Sequence, residues 1–431
     1  MKYIVFLSFL IIGFCSNQSA KQLFDLQQYV VTNTTNNPVA ANPCKDKAAY
    51  MPDADNPEHT PMRYLRVNFH YINNEAKTAT FDRELGETFS KVLLDKANEL
   101  LLDNQQMRLP EGNTTPTLPL RLQYEITGVE DDPTDNGIYF HTHDSLGYFN
   151  KNQKSRDYWL FSSDQYNTFG VRKKEVVNIF VLEHHPDSIA SKTYNPKING
   201  VGTSKWIKIA GPYHHYKDDL RENDNSFENI DVVAFAKHLN HELGHSLGLS
   251  HTWATNDGCE DTPRNNNCWY RSKSNPKCAA EKVSNNVMDY NAYQHAYSPC
   301  QIGKIHYNMS NRKAQQHKVL RRSWCEYNPK KSISINGDFV WDSHKDLEGD
   351  LIVENGSTLT IQCSTAMPPN GKIIVKPKGK LIVDGGLIYN DCDATWKGIE
   401  QWRKRKYVGQ VEFINEGRVA NVPNLLENGR K

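Results

Sequence analysis

The sequence lacks a second long hydrophobic run, an excess of charge of either sign, and the low apolar content of a disordered chain. Only one apolar stretch exceeds ten residues and the mean hydropathy is −0.70, which excludes a membrane protein with several spans. The 51 basic and 50 acidic side chains give a formal net charge of +1, so a nucleic-acid binder steered by overall charge is not expected. With 38% hydrophobic residues in 431 positions, the chain has room for about two or three domains with buried cores.

The single apolar run lies at the N-terminus. Lys2 precedes an apolar core from Tyr3 to Phe14, and small and polar residues follow as far as Ala20. This order predicts a secretory signal peptide over residues 1–20, because a membrane-spanning helix needs about 20 apolar residues. We therefore expect a secreted, extracellular protein with no transmembrane span in the mature chain. Attachment of a lipid to Cys15 is the alternative.

Eight cysteines remain when Cys15 is set aside. An even number in an exported chain predicts disulfides. Cys363 and Cys392 are expected to pair with each other. Two bridges, with three possible connectivities, are expected among the four cysteines that lie within 42 residues of one another, Cys259, Cys268, Cys278 and Cys300.

Composition and periodicity divide the rest of the chain into three stretches. Residues 21–60 are rich in Asn, Thr and Pro, which is typical of a propeptide or an extended arm. Residues 61–325 combine helical spacing with alternating apolar positions, so we expect an α+β domain. Residues 332–431 are expected to form a small all-β module. The predicted elements of the α+β domain are strands at 64–72, 118–126, 176–182 and 205–210 and helices within 82–107 and 231–247.

The C-terminal stretch carries an internal repeat. Residues 349–361 resemble residues 371–383, with an offset of 22 positions and one insertion. Two copies of a strand, a Gly turn and a second strand predict rungs of a β-solenoid, with little chain left for further rungs and no evident cap. Two hairpins in a small sandwich are the alternative. The pattern leaves open whether this module binds a surface, a glycan or a protein.

One eleven-residue motif, HExxHxxGxxH, carries the chemistry. His241 and His245 are four residues apart on the predicted helix, so both imidazoles project from one face and can share a metal. Gly248 allows a turn that brings His251 round as a third ligand. Three neutral imidazoles with an open fourth position define a catalytic zinc site, and Glu242 can reach a metal-bound water without being a ligand.

The motif is too specific to be incidental. HExxH alone would arise by chance in about a few per cent of such chains, whereas adding the Gly and the third His lowers the chance to about one in ten thousand. It is followed, 35 residues after His251, by Asn286-Val-Met-Asp-Tyr290. This combination resembles the signature of the metzincin metallopeptidases, in which the second segment is the Met-turn. Thr252-Trp253, Gly258-Cys259 and Asp261-Thr262-Pro263 look most like the pappalysin branch.

The resemblance covers about residues 61–315. It implies a metzincin-like catalytic domain with a mixed twisted sheet, a backing helix and an active-site helix, and a protein or peptide substrate that pairs with an edge strand within Gly202–Ala210. It also implies roles for six side chains. His241, His245 and His251 would be the zinc ligands, Glu242 the general base and Met288 the apolar floor under the zinc. Tyr290 would form hydrogen bonds either around the zinc ligands or to the transition state.

The chain departs from the family in the segment after the Met-turn. Pappalysin-like sequences usually carry acidic residues there, which help to select basic residues on the leaving side of the cleaved bond. Residues 291–299 hold no carboxylate, so a preference for Arg or Lys does not follow for this chain.

Two further features have alternative interpretations. Relatives commonly bind calcium, for which the acidic loop offers the candidate ligands Asp257, Glu260, Asp261 and Thr262; a solvated loop is the alternative. Cys44 is either disulfide-bonded, most simply to Cys325, or a propeptide thiolate that occupies the zinc and keeps the enzyme latent.

The sequence therefore predicts a secreted zinc endopeptidase with a C-terminal β module. A surface adhesion or carbohydrate-binding protein with an inactive peptidase-like domain is the alternative. Inactive domains commonly lose the base or a ligand, and here Glu242 and all three histidines are present.

Overall fold

The computed structural model describes residues 20–30, 44, 46–129, 132–149, 162–192, 199–253 and 257–423. Apart from Ala20, the predicted signal peptide lies outside these ranges, as does Cys15. The chain divides into two compact units. Of the described residues, those within 33–326 and 342–346 form an α/β unit, and those within 1–32, 327–341 and 347–431 form a β unit.

The first strand of the described residues is β1, Ala20–Leu23, in the β unit. The strands of the α/β unit that precede its long active-site helix are β2 Arg63–Asn73, β3 Leu122–Ile126, β4 Ile138–Thr142, β5 Val177–Leu182, β6 Asn199–Gly202 and β7 Trp206–Ala210. The helices are α1 Arg83–Leu102, α2 Asp164–Phe169, α3 Pro186–Ile189, α4 Pro212–Glu222, α5 Val233–Ser246, α6 Pro299–Ser310 and α7 Gln315–Lys318.

The α/β unit is built on one twisted sheet with the strand order β3-β2-β5-β7-β6, and β4 also pairs with β2. All pairs are parallel except that of β6 with β7. β5 is buried along its whole length, as an apolar strand in the middle of a parallel sheet should be. Helices α1 and α5 pack against each other, and the Asn240 side chain donates a hydrogen bond to the carbonyl of Ala97. The predicted α+β fold, with its backing and active-site helices, is confirmed.

Two local predictions need correction. The strand expected over 118–126 forms only at Leu122–Ile126, because Arg121 has a φ of 54° that breaks the extended conformation. The edge strand expected within Gly202–Ala210 is instead β6, since β7 is hydrogen-bonded on both sides. β6 runs close to α5: a Cβ on Gly202 would lie 2.2 Å from the carbonyl oxygen of Glu242. Glycine is required there for this approach.

Apart from Lys345–Asp346, which lies in the α/β unit, and Tyr407–Val408, which pairs antiparallel with the strand before it, the later strands form a parallel stack. The later strands are β8 Ile333–Ile335, β9 Asp338–Trp341, β10 Lys345–Asp346, β11 Leu351–Val353, β12 Thr358–Ile361, β13 Ser364–Ala366, β14 Ile373–Val375, β15 Lys380–Asp384, β16 Leu387–Tyr389, β17 Ile399–Lys404, β18 Tyr407–Val408, β19 Gln410–Ile414 and β20 Arg418–Val419. Parallel ladders join β8-β11-β14-β17, β9-β12-β15-β19 and β13-β16-β20. This is a β-solenoid, because hairpins would give antiparallel pairs.

The solenoid has more rungs than the two repeats that the sequence reveals. Leu351 pairs with Ile373, which reproduces the predicted offset of 22 residues. The same ladder continues to Ile333 on one side and to Ile399 on the other. The outer rungs escaped recognition because loops of different length separate them from the repeat, which removes the constant spacing.

The N-terminal segment covers one edge of the β unit. β1 pairs antiparallel with β17, and Leu26 is buried in the solenoid core with only 3% of its surface exposed. The Tyr29 ring stacks on Phe413 at a centroid distance of 4.0 Å. Residues 21–60 were expected to form a propeptide or an extended arm; of these, the described residues up to 30 belong to the β unit and residues 46–60 to the α/β unit. The segment 20–30 is the cap that the sequence did not reveal.

We expect Leu26→Ala to destabilise the β unit by about 2–4 kcal/mol, because it leaves a cavity in a closed core. Leu23→Ala is the matched control: Leu23 lies in the same segment and is 52% exposed, so its substitution should change stability by less than about 0.5 kcal/mol. Urea unfolding followed by tryptophan fluorescence measures both. Equal effects of the two substitutions would show that residues 20–30 do not cap the solenoid.

All eight cysteines expected in the exported chain are disulfide-bonded. Cys259 pairs with Cys300, and Cys268 with Cys278, which selects one of the three predicted connectivities. Cys44 also takes part in a disulfide, which agrees with the first of its two interpretations. The latency interpretation fails here, because a sulfur in a disulfide is not a thiolate ligand. Within the described ranges, no helix is long and apolar enough to cross a membrane.

Candidate metal centre

Helix α5 presents two of the three motif histidines on one face. The Nδ1 atom of His241 lies 2.7 Å from the carbonyl oxygen of Val287, and that of His245 lies 3.0 Å from the carbonyl oxygen of Leu249. A carbonyl oxygen can only accept, so each Nδ1 carries the hydrogen and donates it. The Nε2 lone pair of each ring is therefore left available for a metal.

The third histidine reaches the same point through the turn at Gly248. This residue has a φ of 94°, and a Cβ there would lie 2.4 Å from Asn308 Nδ2, so the expected need for glycine is confirmed. The Nε2 atom of His251 lies 3.2 Å from that of His241 and 3.1 Å from that of His245. Tetrahedral zinc with Zn–N bonds of about 2.0–2.1 Å places its nitrogens about 3.3 Å apart.

The donor set fits zinc in chemistry as well as in geometry. Burial lowers the pKa of all three imidazoles, to about 4 for His251, so the rings are neutral near pH 7 as metal ligation requires. Three lone pairs directed at one point repel one another unless a cation lies between them. Among the described residues, one other group of potential ligands converges, Cys259, Asp261 and Cys300, but its two sulfurs form a disulfide.

Glu242 lies beside this cluster and is 4% exposed. Burial raises the pKa of its carboxyl group to about 8, and a hydrogen bond from the backbone N–H of Gly202 opposes the rise. His238 Nε2, one helical turn away, lies 3.5 Å from Glu242 Oε1. The carboxylate is thus held between α5 and the edge strand β6, next to the point on which the histidines converge.

The Met-turn closes the site from below. Met288 is fully buried, and its sulfur packs on Gly244, where a Cβ would lie only 2.4 Å away. The Tyr290 ring lies 4.7 Å from the His251 ring and 5.6 Å from the His241 ring, measured between centroids, and it is 46% exposed. The structure therefore brings all six residues implied by the resemblance to one place.

Sequence reasoning missed a buried carboxylate that links the Met-turn to the third histidine. Asp289 accepts hydrogen bonds from the Thr252 hydroxyl at 2.6 Å and from the backbone N–H of Trp253 at 3.1 Å. Gln294 donates to the carbonyl oxygen of Asp289 at 2.9 Å. Thr252 directly follows His251, so these bonds fix the loop that carries the third imidazole. The position of Asp289 inside the Asn-x-Met-Asp-Tyr segment was the available signal.

The candidate calcium ligands do not form a common site. Asp257 accepts hydrogen bonds from the Thr262 hydroxyl and the Cys259 N–H, whereas Asp261 accepts from the Ser298 hydroxyl and the Cys300 N–H. Glu260 is exposed. Because Asp257 and Asp261 accept hydrogen bonds in separate turns, calcium is not supported, and Asp261 instead connects the loop to the first turn of α6.

Comparison with known proteins agrees with this geometry. The family model Peptidase M43, described as Pregnancy-associated plasma protein-A, matches residues 223–310. The structure of mature mirolysin of Tannerella forsythia in complex with a cleaved peptide is similar, with 14% sequence identity and a TM-score of 0.37. The structure of mirolysin in complex with compound 9 has 15% identity and a TM-score of 0.39. Each match covers 60% of this chain and 96% of that chain. No curated protein sequence matches the chain.

The family match contains the three histidines, Glu242 and the Met-turn. Identity and TM-score are too low for the two structures to add to it. The class defined by the fold and this site is that of the zinc metalloendopeptidases of the metzincin type. Within that class the domain is pappalysin-like.

Proposed function

We propose that the chain is a secreted zinc endopeptidase that hydrolyses peptide bonds with Glu242 as general base. The observation that carries the proposal is the convergence of three imidazole Nε2 atoms beside the buried carboxylate of Glu242. The Nε2 atom of His251 lies 3.1 Å from that of His245 and 3.2 Å from that of His241. His241, His245 and His251 would hold the zinc. The eight disulfide-bonded cysteines support an oxidising, extracellular location.

The roles of the side chains follow from their positions. Zinc held by the three imidazoles would acidify a water molecule and polarise the substrate carbonyl. The Glu242 carboxylate takes up the water proton and returns it to the leaving amine. The Tyr290 side chain, whose ring lies 4.7 Å from that of His251, would donate a hydrogen bond to the oxygen that gains charge.

The edge strand offers a place for the substrate backbone. β6 is the outer strand of the sheet on the side of α5 and is antiparallel to β7. An extended peptide can add to such an edge through backbone hydrogen bonds. Because Gly200 and Gly202 pack directly on His238 and Glu242, a peptide on β6 passes close to the general base.

Incubation of casein with the purified chain lacking residues 1–19 tests this function, with a zinc chelator as control. We expect new peptide termini, detected by mass spectrometry, that disappear with the chelator and return when zinc is restored. Absence of cleavage by the zinc-loaded protein would remove the peptidase function and favour the adhesion alternative.

A further inference from the structure

A cationic cluster lies beside the candidate active site, in the segment that follows the Met-turn. Lys237 precedes His241 by one turn of α5, and its ammonium group donates a hydrogen bond to the carbonyl oxygen of Ala292 at 3.3 Å. The Gln294 amide nitrogen is 3.4 Å from His241 Nδ1. Residues 291–295 therefore run along helix α5 at the level of the first histidine.

Two guanidinium groups share one tyrosine ring of this segment. Arg108 lies 4.0 Å and Arg271 lies 5.5 Å from the centroid of Tyr293. The loop that carries Arg271 is closed by the Cys268–Cys278 disulfide and is tied to the segment by a hydrogen bond from the Ala292 N–H to the carbonyl oxygen of Trp269, at 3.0 Å. The backbone of the loop that carries Arg271 is therefore fixed beside the segment that carries Tyr293.

Neither arginine has a carboxylate partner among the described residues, and Arg108 Nη1 is a buried nitrogen without a hydrogen-bond partner there. Burial, followed by the charge of Arg271, lowers the pKa of Arg108. Burial, followed by the charges of Lys237 and Arg108, lowers the pKa of His295, and the exposed Asp103 opposes the shift. Positive groups thus predominate around this segment.

An anion would relieve this arrangement. Two like charges around one ring repel each other, and the repulsion grows as water is removed. A planar guanidinium matches a carboxylate through paired hydrogen bonds, and such bonds are stronger than those between neutral groups. Residues 291–299 hold no carboxylate, so this segment offers no competing acidic group to the two arginines.

We propose that Arg108 and Arg271, held on Tyr293, form a subsite for an acidic side chain of the peptide substrate, so that the enzyme cleaves next to Asp or Glu. This inference rests on the proposed peptidase function and adds a substrate class to it. Tyr293 acts as a positioning residue, because its ring orients both guanidinium groups.

Paired quenched-fluorescence peptides test the subsite. The peptides are identical except for Glu or Gln at a single position, which is moved in turn through the residues around the cleaved bond. We expect the parent to favour Glu over Gln at one position by about tenfold in kcat/KM, which corresponds to about 1.4 kcal/mol. Arg108→Gln with Arg271→Gln should reduce this ratio to about one, and Arg271→Glu should favour Lys at the same position.

Lys273→Gln is the matched control. It removes one positive charge from the same loop, at an exposed residue away from the Tyr293 ring, and should keep the tenfold ratio. A binding measurement separates recognition from catalysis: zinc-loaded Glu242→Gln protein should bind the Glu peptide more tightly than the Gln peptide in fluorescence anisotropy.

The outcomes distinguish the two proposals. Cleavage of both peptides with equal kcat/KM at every position, or a preference that survives the double arginine substitution, would overturn the subsite and leave the peptidase intact. Loss of cleavage of every peptide by the parent would overturn the peptidase function itself. A stronger effect of Lys273→Gln than of the double substitution would show that general surface charge, rather than the subsite, attracts the acidic peptide.

Discussion

Replacement of Glu242 by Gln is expected to lower kcat for casein cleavage by about a hundred- to ten-thousandfold, the usual contribution of a general base. The amide keeps the size of the side chain but cannot take up a proton. The substitution leaves His241, His245 and His251 unchanged. The Nε2 atom of His251 therefore stays 3.1 Å from that of His245 and 3.2 Å from that of His241. We therefore expect zinc to stay bound while activity is lost.

Zinc content and initial cleavage rate should be measured on the same samples of parent and variant. Glu228→Gln is the control, because Glu228 is an exposed carboxylate at some distance along the chain from the motif, and it should leave both quantities unchanged. A Glu242→Gln protein that binds zinc and retains the parent rate would show that another group moves the proton.

Replacement of Asp346 by Asn is expected to destabilise the α/β unit by about 3–5 kcal/mol, the cost of breaking a buried ion pair. The carboxylate is 1% exposed and lies 2.6 Å from Arg63 Nη1, 3.0 Å from Arg312 Nη2 and 2.6 Å from His344 Nε2. The neutral amide leaves two guanidinium groups without their shared counter-ion, in a place where water cannot replace it.

Urea unfolding of the parent, Asp346→Asn and Asp338→Asn measures this effect. Asp338 is an exposed aspartate eight positions earlier in the chain, so its substitution should change stability by less than about 0.5 kcal/mol. If the two variants unfold at the same urea concentration, the buried network does not stabilise the α/β unit.

The same carboxylate gives a pH dependence with a definite sign. Burial by itself would raise the pKa of Asp346, but the charges of His344, Arg63 and Arg312 hold it well below the usual 3.8. The unfolded carboxyl takes up a proton near pH 3.8 and the folded one does not. The contribution of the Asp346 carboxylate to the free energy of unfolding is therefore complete above pH 3.8 and is lost as the pH falls toward the pKa of the folded state. The Asn variant should lack this component of acid unfolding.

The position of Asp346 also shows where sequence reasoning failed. Residues 332–431 were predicted as a separate module, yet residues 342–346 belong to the α/β unit. Composition and repeats locate a change of architecture, but an ion pair between Arg63 and Asp346 joins residues hundreds of positions apart and leaves no periodic trace. A chain cut after residue 325 would lose the counter-ion of Arg63 and Arg312.

Local patterns were predicted most successfully. The helix with His241 and His245 follows from apolar spacing, and the turn after it follows from Gly248, whose φ of 94° is a local requirement. The central strands were found because their burial imposes an apolar pattern on the sequence.

Features that depend on the packing of distant segments were missed. The cap at residues 20–30, the pairing that makes β6 the edge strand, and the sharing of Tyr293 by Arg108 and Arg271 each join parts of the chain with no common period. Calcium was an expectation from relatives, and it failed because Asp257 and Asp261 satisfy separate backbone turns.

A zinc titration of the metal-free chain, with bound zinc and casein cleavage measured on each sample, tests most directly whether the three histidines make a peptidase. We expect cleavage to rise in proportion to bound zinc and to level off at one zinc per chain, and we expect His245→Ala to prevent both binding and cleavage. Cleavage by the zinc-free chain, or full zinc occupancy without any cleavage, would contradict this conclusion.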